Sequence, residues 1–278
     1  MNNNNSILLV DQEFDPNAIT NRNLLFKITA DSFSYAMLNM DAGRLEVLYD
    51  QQDCDPAVAM AKRIKTDPYL SIDFAQVKIA VCSANTLTVP EAFYQADQPE
   101  IYANYFTELA DFSGTLQANS HVNYDFKTLF LLPGEVEKVL TDNNLGSAIK
   151  YGQTAPLLAM LRPAERDQLI LDFTGSSFYA MLFKQGKLIF QNYYTAENDE
   201  EFNYYLLLIV QQLKLDPAQT DLLATGIINA GDAHYDIMER YFLSVEILEP
   251  ILEDTDLTIL EDMPKHYYTS LLAINLCA

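Results

Sequence analysis

Alternating apolar and polar positions mark the first regular segment, Leu24 to Thr29 (LLFKIT). The pattern resumes in SFSYAML and, after a turn at Asn39-Met40-Asp41-Ala42-Gly43, in RLEVLY. Period-two alternation with a glycine closing a short connection predicts a meander of three β-strands. Pro56 then opens AVAMAKRIK, good helix formers with proline in the first turn. The apolar run QVKIAVCS, Gln76 to Ser83, predicts a buried strand. An irregular region over residues 84–127 follows, then a strand (KTLFLL) and a helix (PGEVEKVL).

The second half reads in the same order. LILDF, Leu169 to Phe173, leads to SSFYAMLF, a turn at Lys184-Gln185-Gly186, and KLIFQNYY. A helix starts at Asn198 or Asp199 with acids in its first turn and stops at Asp216-Pro217. DLLATGII, Asp221 to Ile228, predicts the next strand, followed by a helix in DAHYDIMERYF and a strand in SVEIL. Thr154 to Glu165 predicts a linking helix between the halves, and HYYTSLLAINL a last amphipathic one. The Asn-rich start is expected to be mobile.

The tetrapeptide YAML falls in the second strand of each half, at Tyr35–Leu38 and Tyr179–Leu182. Alone, it does not establish a duplication. With the shared order of strand, strand, strand, helix, strand, it does predict one. The expected domains are residues 1–153, carrying the irregular insertion, and 154–278, with the linking and C-terminal helices; Tyr35 is expected to match Tyr179.

Composition adds limits. Apolar content of 49% and charged content of 20% are those of a globular chain. No apolar run approaches the ~20 residues a spanning helix needs, and the start lacks a signal peptide's basic region, so a cytoplasmic protein without membrane insertion is expected. Cys54, Cys82 and Cys277 lack CxxC spacing and read as reduced thiols; His121, His234 and His266 are isolated, so no metal site is expected. The net charge of −22 argues against nucleic acid. Acid is densest from Glu246 to Asp262, seven carboxylates without a base. The helix carrying Phe202, Tyr204, Tyr205, Leu206, Leu207, Leu208 and Ile209 is apolar nearly all round, predicting burial; a subunit interface, and so a homodimer, is the other reading.

Two copies of β-β-β-α-β-α make this an α/β chain. They resemble the duplicated actin-like, RNase-H-like ATPase superfamily, which includes actin, sugar kinases and heat-shock chaperones. DFTGSSFYAMLFKQGKLIF with LLATGI is most similar to the actin-like cytoplasmic domains of type II secretion and type IV pilus assembly proteins. TLTVP, Thr86 to Pro90, is similar to a TLxVP motif of an uncharacterised, mainly Bacteroidetes family. The resemblance implies two tandem RNase-H-like domains, each a mixed sheet flanked by helices. It also implies ATP with magnesium between them, the phosphates wrapped by the turn joining strands one and two of each half, and an Asp ending the first strand.

Here the first turn, Thr29-Ala30-Asp31-Ser32, lacks glycine and carries an acid that would repel phosphate. Matching the YAML copies sets Ile28 against Asp172. Nine glycines in 278 residues, about 3% against a typical ~7%, leave few for a double phosphate cradle. The expectation is a catalytically inert actin-like scaffold, without cofactor, that binds another protein in the cytoplasm. Its contact candidates are Tyr267, Tyr268, Glu261 and Asp262, where aromatic area meets the acidic run. The alternative is a weak ATP-binding or ATPase protein, with ATP and magnesium held by Asp172, Gly175, Ser176 and Gly226. Asp172 also reads as a turn cap, and the Tyr267 and Tyr268 rings as packing for the last helix.

Overall fold

The computed structural model describes residues 5–82, 86–98, 100–103, 105–106, 114–162 and 164–278. The expected mobile start over residues 1–4, the last residue of the strand expected over Gln76 to Ser83, and part of the irregular region lie outside them. The chain forms two compact units: Met1–Ala159 with Leu252–Met263 and Leu271–Ala278, and Met160–Ile251 with Pro264–Ser270.

The first unit contains β1 (Ser6–Val10), β2 (Arg22–Ile28), β3 (Phe33–Asn39), β4 (Arg44–Gln51), α1 (Pro56–Thr66), β5 (Gln76–Val81), β6 (Thr86–Pro90), α2 (Glu100–Ala103), β7 (Gly114–His121), β8 (Phe126–Pro133), α3 (Gly134–Asp142), β9 (Ile149–Gly152) and α4 (Ala155–Met160). Its main sheet is ordered β1-β4-β3-β2-β5-β9; β2, β3, β4 and β1 pair antiparallel, β2, β5 and β9 parallel. The expected irregular region contributes β6 and β7 to a second sheet, β6-β8-β7. Asp55 caps α1 through Val58 N at 3.0 Å, and Pro56 takes the position where a missing N–H costs nothing. The helix expected over Thr154–Glu165 is confined to Ala155–Met160.

Beneath α1 a polar network crosses the core. The buried Tyr35 hydroxyl donates to Asp67 Oδ2 at 2.5 Å, and Arg63 Nε lies 2.5 Å from the same oxygen. Residues 252–263 return to the β3–β4 hairpin, where Leu45 N donates to Asp256 O at 3.0 Å and Asp256 N to Gly43 O at 2.7 Å.

The second unit contains β10 (Asp167–Thr174), β11 (Ser177–Lys184), β12 (Lys187–Thr195), α5 (Asp199–Gln212), β13 (Thr220–Gly226), α6 (Ala233–Tyr241) and β14 (Ser244–Ile247), with sheet order β12-β11-β10-β13-β14. Gln185 and Gly186 both have positive φ, the requirement of a two-residue hairpin turn that matches strand twist. The side chain of Asn198 accepts Glu201 N at 3.0 Å to start α5. That helix is not buried all round: Phe202, Leu206 and Ile209 face the core, but Tyr204 is 61% exposed and Leu207 38%. The last expected helix is broken into a 3-10 turn at Lys265–Tyr268, α7 (Thr269–Ala273), and another 3-10 turn at Ile274–Leu276.

Both units repeat one hairpin arrangement, but its register is not the one YAML predicts. The β2–β3 hairpin closes on Thr29 and Ser32, the β10–β11 hairpin on Thr174 and Ser177. That correspondence matches Leu24, Phe26, Ile28, Phe33, Tyr35 and Met37 with Leu169, Leu171, Phe173, Phe178, Ala180 and Leu182. Both sets face the core of their unit. It also matches the register shifts, between Met37 and Leu38 on β3 and between Leu182 and Phe183 on β11. Tyr35 therefore corresponds to Ala180, and the YAML copies lie one residue out of step. In a strand, one residue is the whole difference between faces.

Candidate functional site

Each first hairpin ends in a closed turn. In the first unit Thr29 N donates to Ser32 O at 3.0 Å, the hydroxyls of Thr29 and Ser32 lie 2.5 Å apart, and Thr29 Oγ1 donates to Asp31 Oδ1 at 3.0 Å. In the second, the hydroxyls of Thr174 and Ser177 lie 2.7 Å apart, with Gly175 and Ser176 exposed at the tip. All four hydroxyl residues are buried. The T-x-x-S pair that closes both turns is a repeat more faithful to the fold than YAML. The signal was present in the sequence as two short polar residues flanking a two-residue gap.

The hairpin register gives Asp172 a different counterpart. Asp172 pairs with Tyr179, two steps before the turn closure, and Lys27 pairs with Ser34 at the same step. Lys27, not Ile28, occupies the equivalent position. It is buried, and its charge acts to lower the pKa of Asp50, which burial raises overall.

Asp172 is fully buried; Ser270 Oγ donates to its Oδ1 at 3.4 Å. Gly226 adjoins it with φ +82°. A Cβ there would meet Phe173 O at 2.0 Å and Asp172 Oδ1 at 2.9 Å, while Ile227 N donates to Phe173 O at 3.0 Å. The space beside Gly226 is thus filled by the chain's own backbone and carboxylate.

The contact candidates separate. Tyr268 is 3% exposed, so it is not a surface aromatic. Tyr267 is half-buried, and its hydroxyl accepts Asn229 Nδ2 at 2.7 Å; the adjacent His266 Nε2 bonds Ile228 O at 2.6 Å. Glu261 and Asp262 are exposed and belong to the first unit, whereas both tyrosines belong to the second. The two acids line a groove of about 550 Å³ with Asp11, Glu13, Arg44 and Asp256. Arg44 there is held by Glu13 and lies 3.6 Å from Asp11.

A second groove of the first unit, about 600 Å³, runs between β7 and β9, with Leu158 and Leu276 on its wall. Asn119 bridges the two strands, donating to Lys150 O at 2.9 Å and accepting Gly152 N at 2.7 Å. His121, buried at its end, bonds Thr128 Oγ1 at 3.0 Å, and burial with nearby Lys127 pushes its pKa down to about 4. Just beyond β9, Gln153 is buried with neither side-chain polar atom partnered. Sequence reasoning passed over Gln153, because one glutamine between Gly152 and Thr154 carries no pattern.

A family sequence profile described as a protein of unknown function, DUF3822, matches residues 11–245. The chain belongs to the DUF3822 family. No curated protein matches it in sequence. Among solved structures it is similar to a Bacteroides thetaiotaomicron protein described as having an actin-like ATPase fold and unknown function. That match has a TM-score of 0.74 at 17% identity over 84% of this chain and 93% of the other. It is also similar to a PilM–PilN type IV pilus biogenesis complex (TM-score 0.57, 13% identity, 91% and 97% coverage) and to the ethanolamine utilization protein EutJ from Carboxydothermus hydrogenoformans (0.52, 7%, 97% and 93%). At these identities the likeness establishes the fold. This DUF3822 chain has an actin-like fold.

The residues of the two hairpins do not fit the magnesium-bound triphosphate that the fold family implies. An ammonium group has no lone pair with which to hold a magnesium-bound water, so Lys27 cannot replace an Asp. The first turn has no glycine and carries a carboxylate, and its hydroxyls are engaged with one another. Among the described residues no three His, Cys, Asp or Glu side chains gather in a geometry suited to a metal, and no helix is long and apolar enough to cross a membrane.

Proposed function

We propose that this protein is a catalytically inert actin-like scaffold that binds another protein in the cytoplasm. The observation that carries the reading is Lys27 at the position that Asp172 holds in the second repeat, next to a turn that closes on itself. A fold built to surround ATP has lost the acid and the open backbone donors that recognise it. The PilM–PilN complex supports the binding half of the reading, since an actin-like chain of similar extent there carries a protein partner. The groove lined by Glu261 and Asp262 offers carboxylates to a basic segment.

A second reading, residual ATP binding, takes its observation from Gln153, a buried amide without a protein partner, since such a group is bonded either to water or to a ligand. Thermal unfolding with ATP and magnesium separates the two. At 100-fold above Kd, binding adds about 2.7 kcal/mol, several degrees at this chain length. The scaffold reading expects no shift; a shift that Gln153→Leu abolishes establishes the second.

A further inference from the structure

The two units treat one sheet edge differently. In the first unit β4 is covered: β1 pairs antiparallel with it over Val47–Gln51, and most of β4 is buried. The matched register shifts place Phe190–Tyr194 of β12 in the position of Val47–Gln51. Yet among the described residues β12 has only β11 beside it, and no residue along its nine positions is buried. The bulge residues show the same contrast. Glu46 is enclosed and bound by Arg22 at 2.6 Å, whereas Ile189 is 50% exposed. A long strand edge with an exposed isoleucine is a template for another strand unless charge, proline or a covering segment protects it.

We propose that β12 is a homodimerisation edge, occupied by β12 of a second copy of this chain running antiparallel. The window that β1 covers in the first repeat fixes the register in the second. Its centre is Asn192, so a two-fold axis there sets Asn192 against Asn192 and Phe190 against Tyr194. The same register sets the exposed Lys187 of one copy opposite the exposed Glu197 of the other, twice per dimer. Lys187–Thr195 contains no acidic residue in a chain of net charge −22, so this edge escapes the repulsion that two such copies otherwise meet. A two-fold interface is self-complementary by construction, and the strand and its flanking charges satisfy that condition. This assignment stands independently of the scaffold reading, because it needs neither an absent nucleotide nor a foreign partner.

The test is the oligomeric state of the full chain, followed by light scattering during gel filtration over a range of concentrations. Wild type is expected to form a dimer. Lys187→Glu and Glu197→Lys should each weaken it by roughly tenfold, two exposed pairs being lost, and the double reversal should restore it. Opposed residues in an antiparallel pair stand ~4.5–5.5 Å apart between Cα atoms, within reach of a disulfide. Asn192→Cys should therefore cross-link into a covalent dimer on oxidation, and Ile189→Cys, off the axis, should not. A monomer at every concentration overturns the proposal. So does a dimer indifferent to both charge reversals, or one in which Ile189→Cys cross-links and Asn192→Cys does not.

Discussion

Lys27 and Asp172 occupy the same step of two copies of one hairpin, each paired two positions before a Thr–Ser closure. A cation stands in one copy and an anion in the other. Asp172 is buried with Ser270 beside it, and its expected contribution is to stability. Asp172→Ala is expected to lower stability by about 1–3 kcal/mol, the cost of disrupting buried polar bonding. Urea unfolding with and without magnesium checks this. The loss should be the same in both; a magnesium-dependent difference would return Asp172 to the role of a metal ligand.

Gly226 makes a sharper case. Its φ of +82° favours glycine, and a Cβ would sit 2.0 Å from Phe173 O. Gly226→Ala must therefore pull β13 away from the end of β10, and should cost more than about 3 kcal/mol. Gly231, with φ +88° and open space around it, is the control: its alanine variant carries only the backbone strain, ~1–2 kcal/mol. Urea midpoints of the two variants should differ clearly. Equal losses would mean that the close approach to Phe173 is not limiting.

The meanders, α1 and α5 were legible because their periodicity and caps are local properties of the chain. β1 was not: Ser6–Val10 follows an Asn-rich run and becomes a strand only by pairing with β4, some forty residues on. The sheet of β6, β8 and β7 escaped for the same reason, its central strand being last in sequence. YAML misled because identical letters fell on opposite faces. Tyr35 packs under α1 against Asp67, while Ala180, its true counterpart, leaves room for the aromatic rings of Phe173, Phe178 and Phe202. Lys27 could be found only once that register was corrected. Tyr267 and Tyr268 looked exposed because an acidic run precedes them, yet Tyr268 is buried and Tyr267 is bonded to Asn229.

His121 makes stability depend on pH. Its folded pKa, about 4, lies below the ~6.5 of an unfolded histidine. The contribution of neutral His121 is fully present above pH 6.5. It is lost as pH falls from 6.5 towards 4, because there the unfolded chain binds the proton and the folded chain does not. The ceiling is about 3 kcal/mol across that window. His121→Gln removes the titrating group and should flatten the slope of urea stability between pH 6.5 and 5, where most carboxylates remain ionised. An unchanged slope would place the titration elsewhere.

Lys78 anchors the last residues of the chain to the first unit. It is buried, its ammonium donates to Asn275 O at 3.1 Å and to Cys277 O at 2.5 Å, and burial lowers its pKa. Tyr151 and Asn23 add bonds to Ala278 O and to the Asn275 side chain. The Cys277 thiol is enclosed there with its pKa pushed up to about 12, so at pH 8 it reacts only when this segment opens. Lys78→Met removes two charge-assisted bonds and leaves two carbonyls without their donor. At about 1.5–3 kcal/mol for each of the two bonds, opening becomes at least about 100-fold more frequent, and Cys277 alkylation accelerates by the same factor. Cys54, in the same unit with its pKa raised to about 11, is the internal control and should keep its rate. Peptide mass spectrometry after timed alkylation reads both sites in one sample. If both rates rise together, the substitution has loosened the whole unit, and Lys78 is not a local clamp.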